Sequence, residues 1–328
     1  MLEGIRHLRG VAALLVVVFH ATEMQRIAGM PAGWPSQALA AGVDVFFILS
    51  GFLMVRTTKP GDSAADFLRR RSERIVPLYW LLTAALAIPL LLKPSLSERP
   101  IDLTTILSSL AFLPSYLGPN TLQTTVIPVG WTLVYEAFFY ALFAAGIALK
   151  VGSRGVIAVI VVLALLHPLT TGFYAQHYTS PLLLEFALGA WVAALPPPPK
   201  RAAALGIAAI GLVLLLIGAH HGLTTPLRPL ACGPGAALMV YACTATDWPQ
   251  QRVMALLGDA SYSIYLFHLY PMKYVGMKAF HATNLAVLVL LGVGGGVLLY
   301  LLVERPLQKL VKRWDWGRKR VSAAVPAG

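Results

Sequence analysis

Arg9 and His20 are the first residues of this chain whose types and spacing could do chemistry together. The ten residues between them carry no charge and no hydrogen-bonding side chain. Eleven positions make about three helical turns, so both side chains fall on nearly the same face, about 17 Å apart along the axis. A guanidinium at one end can hold an anion. An imidazole at the other can take a proton from a hydroxyl. An ionisable ring this deep in an apolar helix is costly unless it faces a polar cavity, which makes it a functional candidate. A structural account fits the pair too, with Arg9 snorkelling to lipid headgroups and His20 bonded to a neighbouring helix.

Three further ionisable groups lie inside apolar stretches: Asp44, Glu136 and His268. Asp44 opens an apolar run that reaches Ser50 and Gly51. If that run descends from the outer face, Asp44 sits level with His20 and would fix its tautomer, as orienting carboxylates do. Ser50 and Gly51 form a small pair that lets a helix or a ligand come close. Glu136 stands among aromatics, with Trp131 and Tyr135 before it and Tyr140 after it. The aromatics fit an ordinary interfacial belt, whereas the carboxylate needs a cation or a hydroxyl-rich ligand. Ser261, Tyr265 and His268 recur at helical spacing, so one polar stripe faces the bundle interior.

The densest charge cluster is Arg69, Arg70, Arg71, Glu73 and Arg74. Arg71 and Arg74 are three apart and share a helix face. They could grip a phosphate bidentately. Membrane topology and anionic lipid account for the same cluster without any ligand.

These residues need a scaffold, and composition indicates which kind. The 328 residues are 57% hydrophobic and 12% charged, more apolar than soluble domains usually are. About 20 apolar residues cross a bilayer. Ten stretches qualify, at 5–22, 38–55, 75–93, 127–149, 154–170, 180–196, 202–219, 228–245, 255–274 and 283–303. The segment 101–117 is short and broken by Pro114, and reads as an interfacial piece. With the N-terminus inside, 20 of the 26 Lys and Arg residues fall on the inner side, which supports an even number of crossings and both ends in the cytoplasm. The expected fold is an all-α polytopic bundle of about ten transmembrane helices, one domain over 1–320 followed by a frayed tail, 321–328. Trp314 and Trp316 read as inner-leaflet anchors, and the first helix reads as retained, since another span follows it at once.

The net charge of +12 sits mostly between spans rather than on a solvated basic face with interleaved aromatics, so no nucleic-acid partner is expected. Cys232 and Cys243 lie in one predicted helix about 16 Å apart, too far to pair there, and offer no metal spacing. No metal is expected.

Taken together these residues resemble the acyltransferase family three of integral membrane O-acyltransferases. The resemblance covers nearly the whole chain and rests on order and spacing. Arg9 and His20 match an Arg, ten residues, then a His. Phe46, Phe47, Ser50 and Gly51 match the second-helix motif. Arg71 and Arg74 match the first inner loop. Trp131 with Glu136 and Tyr140, the run from Tyr262 to His268, and Glu304 to Pro306 match later signatures. The form around Trp131 is most similar to the branch that acetylates exopolysaccharides.

The resemblance implies an acyl-CoA donor, acetyl-CoA by this reading, and a glycan or lipid-linked saccharide acceptor, in the inner membrane of a bacterium and among its lipids. Arg9, Arg71 and Arg74, with Ser50, would bind the donor. His20 would be the general base, oriented by Asp44, with an acetyl-His intermediate as the other option. Glu136, Trp131, Tyr135, Tyr265 and His268 would bind the acceptor or line the channel. Glu304 reads as structural, paired to the inner basic cluster. Two other classes compete. A secondary transporter of a small polar solute would also keep ionisable groups at the midplane, but inverted repeats with broken helices would be expected. An intramembrane Ser protease using Ser50 would need a Gly-x-Ser context that is missing here.

Overall fold

The computed structural model describes residues 2–30, 36–93, 101–115, 125–222, 227–245, 247–281 and 283–313. The expected tail 321–328 and the anchors Trp314 and Trp316 lie outside them. The chain is helical, with no strand among the described residues. In order, the helices are α1 (Glu3–Ile27), α2 (Gly42–Thr57), α3 (Ala64–Leu92), α4 (Leu103–Leu110), α5 (Trp131–Ala148), α6 (Gly152–Leu166), α7 (Phe173–Tyr178), α8 (Leu183–Val192), α9 (Arg201–Gly222) and α10 (Arg228–Ala242). They continue as α11 (Arg252–Asp259), α12 (Ser261–Phe267), a π-helical segment Pro271–Ala279, α13 (Leu285–Leu299), a π turn Tyr300–Glu304 and α14 (Arg305–Arg313).

Local sequence explains several boundaries. Ser63 caps α3 by accepting from the Asp66 amide, Asp102 caps α4 through Thr105, and Asn284 caps α13 through Ala286 and Val287. Each such cap satisfies an amide that the helix leaves orphaned. Pro271 has no N–H to offer the carbonyl one turn back, and the helix widens into its π segment at that point.

Among the described residues, seven helical stretches are long and apolar enough to cross a membrane: Glu3–Ile27, Ala38–Thr57, Ala64–Leu92, Pro128–Ala148, Gly152–Leu169, Arg201–His220 and Leu285–Val311. The other three predicted spans are shorter or broken. The stretch 180–196 holds the ten residues of α8, 228–245 the fifteen of α10, and 255–274 is divided among α11, α12 and the π segment. Each lies along a full-length helix: α8 against α2, α10 against α9, and α11 and α12 against α1. Leu103–Leu110 is too short to cross, as the interfacial reading requires. The last crossing does not close at Glu304. It bends through the π turn and continues as α14.

α1 and α2 form the centre. Buried Leu8, Ala12, Val45, Ile48 and Leu49 join them to α8 and α10. Ala13, Val17 and Ala21 join α1 to α11, α12 and α13. The outward faces of α3, α6, α9 and α13 expose Ile88, Leu165, Ile210 and Leu290. Such faces would be an aggregation hazard in water and suit the hydrocarbon of a bilayer.

Two contacts set the depth of the site. α11 and α12 together run parallel to α1, with Gly258 of α11 against Arg6 and His268, just past α12, against His20. Gly42, the first residue of α2, lies against Ala12 and Val16 of α1. α2 therefore begins level with the middle of α1, and Asp44 lies about 10 Å below His20 at 1.5 Å per residue. The expectation that these two residues share a level is corrected by this packing.

Candidate active site

One cavity gathers six of the eleven predicted site residues. Arg9, Ser50, Arg71, Arg74, Glu136 and Tyr265 all line it, with Thr132 and Tyr140. Its volume is about 100 Å³. It lies at the end of the bundle where α1 begins and α2 ends.

The arginines are held by different means. Arg9 is buried, and its guanidinium donates to Ser261 Oγ at 2.8 Å. Arg71 donates to the Leu53 carbonyl at 3.2 Å and to the Thr57 hydroxyl, and stands 5.6 Å from the centre of the Phe67 ring. Arg71 is thus strapped to the last turn of α2. Arg74 lines the cavity with no hydrogen bond or ion pair within 4 Å among the described residues. Behind them Glu304 is buried and accepts from Ser263 and Gln308, and its charge acts on Arg74 and Arg9. Its hydrogen-bond partners are thus a hydroxyl and an amide, and no ion pair within 4 Å joins it to the basic cluster it was expected to pair with, among the described residues.

Opposite the arginines, one oxygen of Glu136 accepts from Ser50 and from Tyr140, each at 2.5 Å. Gly51 plays a different part from its neighbour. A Cβ there would fall 2.0 Å from the Phe186 carbonyl, and one at Gly189 would fall 2.0 Å from that of Ile48. The small pair therefore divides its work, with Gly51 admitting α8 and Ser50 facing the cavity.

The cavity stops short of His20. Tyr265 lines its deep end, with its hydroxyl 2.9 Å from Thr132 Oγ1 and its ring edge-on to Phe46. The His268 ring stands 6.4 Å beyond Tyr265. There the two histidines meet, with Nε2 of His268 3.0 Å from Nδ1 of His20. His268 is fully buried and His20 half-buried.

Three predicted site residues stand elsewhere. Asp44 is fully buried, and its two oxygens accept from Nε and NH2 of Arg228 at 2.9 and 2.6 Å. It is not a partner of His20 among the described residues, so the orienting role expected for it is corrected. A cation and a carboxylate in low dielectric demand each other, and Arg228 opens α10 beside this carboxylate. Trp131 and Tyr135 pack around Phe47 rather than in the cavity, and the Tyr135 ring lies tilted against that of His177, 4.1 Å between centres. His177, in the short α7, is buried, and burial pushes its pKa down to about 4.

Sequence reading overlooked Glu185, which is fully buried beside Asp44 and Arg228. As the one acidic residue within 180–196, it was visible as a carboxylate at membrane depth. Arg228 was visible too, as a cation opening a predicted span, and Asp44 is the one buried aspartate among the described residues. Among the described residues, no three His, Cys, Asp or Glu side chains gather as a metal site.

Comparison with known proteins decides the family. A family defined as an acyltransferase domain matches residues 2–305. The chain belongs to the acyltransferase-3 family. Among acyltransferase-3 relatives, the exopolysaccharide production protein ExoZ of Rhizobium meliloti (strain 1021) is 33% identical over 291 residues, covering 82% of this chain and 89% of its own. The acyltransferase MdmB of Streptomyces mycarofaciens is 28% identical over 381 residues, covering 99% of this chain and 95% of its own. No solved structure matches the chain at a significant level. This acyltransferase-3 chain is a membrane protein and an acyltransferase, and its histidine pair and arginine cavity lie wholly inside the matched region.

Proposed function

We propose that the protein moves an acetyl group from cytoplasmic acyl-CoA to a hydroxyl of a cell-surface or exopolysaccharide glycan, with His20 as general base. It would sit in the inner membrane of a bacterium with both ends in the cytoplasm. The observation that carries this reading is the convergence of Arg9, Arg71 and Arg74 on one cavity at the foot of α1, whose other end holds His20. Phosphates of a CoA are polyanionic and match three guanidiniums. The distance from Arg9 to His20, about 17 Å along the helix, is comparable to the length of a pantetheine arm. The name of the relative ExoZ supports a polysaccharide-linked acceptor.

In this reading the donor's phosphates rest on Arg71 and Arg74, with Arg9 deeper and Ser50 and Glu136 along the arm. Tyr265 and Phe46 stand between the cavity and the histidines, so the thioester reaches His20 only when they swing aside. The acceptor hydroxyl then gives its proton to His20 as its oxygen attacks the thioester carbon. The carbon–sulfur bond breaks, the departing CoA thiolate takes the proton, and the ester is left on the sugar. Proton transfer by a positioned base contributes about 10²–10⁴-fold.

Donor binding tests the arginine assignment. Arg74→Ala removes charge-assisted bonds worth about 1.5–3 kcal/mol, so affinity for acetyl-CoA should fall roughly ten- to a hundred-fold while turnover at saturation changes little. Unchanged donor affinity, measured by titration in detergent, contradicts the clamp.

A further inference from the structure

We infer that His268 is a positioning residue that, together with the Val16 carbonyl, fixes the tautomer of His20, so that Nε2 of His20 is the atom that takes the acceptor's proton. The inference rests on the reading of His20 as the base.

The argument starts from two carbonyls. Each ring turns its Nδ1 back to the carbonyl one turn earlier on its own helix: His20 to Val16 at 3.0 Å and His268 to Ile264 at 2.9 Å. A carbonyl accepts and cannot donate. Nδ1 of neutral His268 therefore carries its hydrogen, and its Nε2 carries a lone pair. That lone pair points at Nδ1 of His20, 3.0 Å away. Both neighbours of His20 Nδ1, the Val16 carbonyl and the His268 nitrogen, are then acceptors. The Val16 carbonyl already calls for the hydrogen of His20 on Nδ1, the His268 lone pair is a second acceptor sharing that same hydrogen, and Nε2 is left bare.

The opposite arrangement would set a lone pair of His268 against the Ile264 carbonyl in a fully buried place. An unsatisfied buried polar group costs about 1–3 kcal/mol, enough to select one tautomer. When Nε2 of His20 gains a proton, the bond from its Nδ1–H to His268 becomes charge-assisted and roughly twice as strong. The imidazolium is stabilised at the moment it forms. A carboxylate would do this with more force, but it would need its own counter-charge in the apolar bundle, as Asp44 needs Arg228.

The fold supplies the placement. α12 ends at Phe267, and the helix resumes in the wide turns from Pro271. His268 sits at that junction. Opposite it, Gly292 of α13 leaves room chiefly for Met272, whose methyl would stand 2.9 Å from a Cβ there. π-helical segments of this kind recur at functional sites.

Two substitutions separate the two nitrogens. In His268→Asn the amide stands where Nδ1 was and keeps Ile264 but cannot reach His20. In His268→Gln it stands where Nε2 was and its oxygen accepts from His20. We expect His268→Asn to lower kcat by about 10²-fold with the KM for acetyl-CoA unchanged, and His268→Gln to recover to within about tenfold of wild type. Equal rates in the two variants, high or low, overturn the inference. Nitrogen chemical shifts of histidine-labelled wild-type protein give a reading that needs no variant. His20 protonated on Nδ1 and bare on Nε2 agrees, and the reverse overturns. His20→Gln separates the two levels: transfer surviving in that variant refutes the base itself, whereas its loss together with equal Asn and Gln variants refutes only the positioning.

Discussion

Asp44 shows how one buried charge acquires its meaning from the side chain it faces. Both its oxygens are taken by Arg228, and Glu185 lies beside the pair. Removing one partner of a buried ion pair costs about 3–5 kcal/mol, because the other charge is stranded. Asp44→Ala should therefore lower the midpoint of thermal unfolding in detergent sharply. Asp44→Ala combined with Arg228→Met should regain much of the loss, and transfer per folded molecule should stay near wild type in both. A fully stable Asp44→Ala that has lost transfer would return Asp44 to the site. Ser50 and Glu136 have the opposite character. Their bond borders a cavity, so it can be exchanged for a ligand's.

At the scale of elements, α2 couples the cavity to the rest of the bundle. Its one face brings Ser50 to Glu136, and Gly51 lets α8 approach to backbone contact. Gly51→Ala should cost about 1–3 kcal/mol through overpacking and weaken acetyl-CoA binding as well, because moving α2 moves Ser50. Stability and donor affinity unchanged in that variant would show that the close approach is dispensable. Seven of the ten helical crossings were legible as long apolar runs, and so were six of the residues lining the cavity, because helical spacing puts Arg71 with Arg74 and Ser261 with Tyr265. Depth was not legible. The short 3₁₀ turn Ser36–Ala41 delays the start of α2, and no hydropathy pattern reports that Gly42 meets Ala12. The meeting of His20 with His268 was hidden for a related reason: no pattern in the sequence reports the register that sets Gly258 against Arg6 and His268 against His20.

For the whole molecule, the design is a polar column inside an apolar shell. Arginines occupy one end, a carboxylate and hydroxyls the middle, and two imidazoles the far part, with Tyr265 and Phe46 between. Leucines and isoleucines on α3, α6, α9 and α13 face outward toward lipid. The chain belongs to an acyltransferase family, and in the proposed reading the donor enters this column at its arginine end. The most direct measurement supplies labelled acetyl-CoA to the arginine side of sealed proteoliposomes that enclose the glycan. Label should pass to the glycan with wild-type protein and fall by about 10²–10⁴-fold with His20→Gln, while acetyl-CoA binding persists. Transfer by His20→Gln at the wild-type rate would contradict the account.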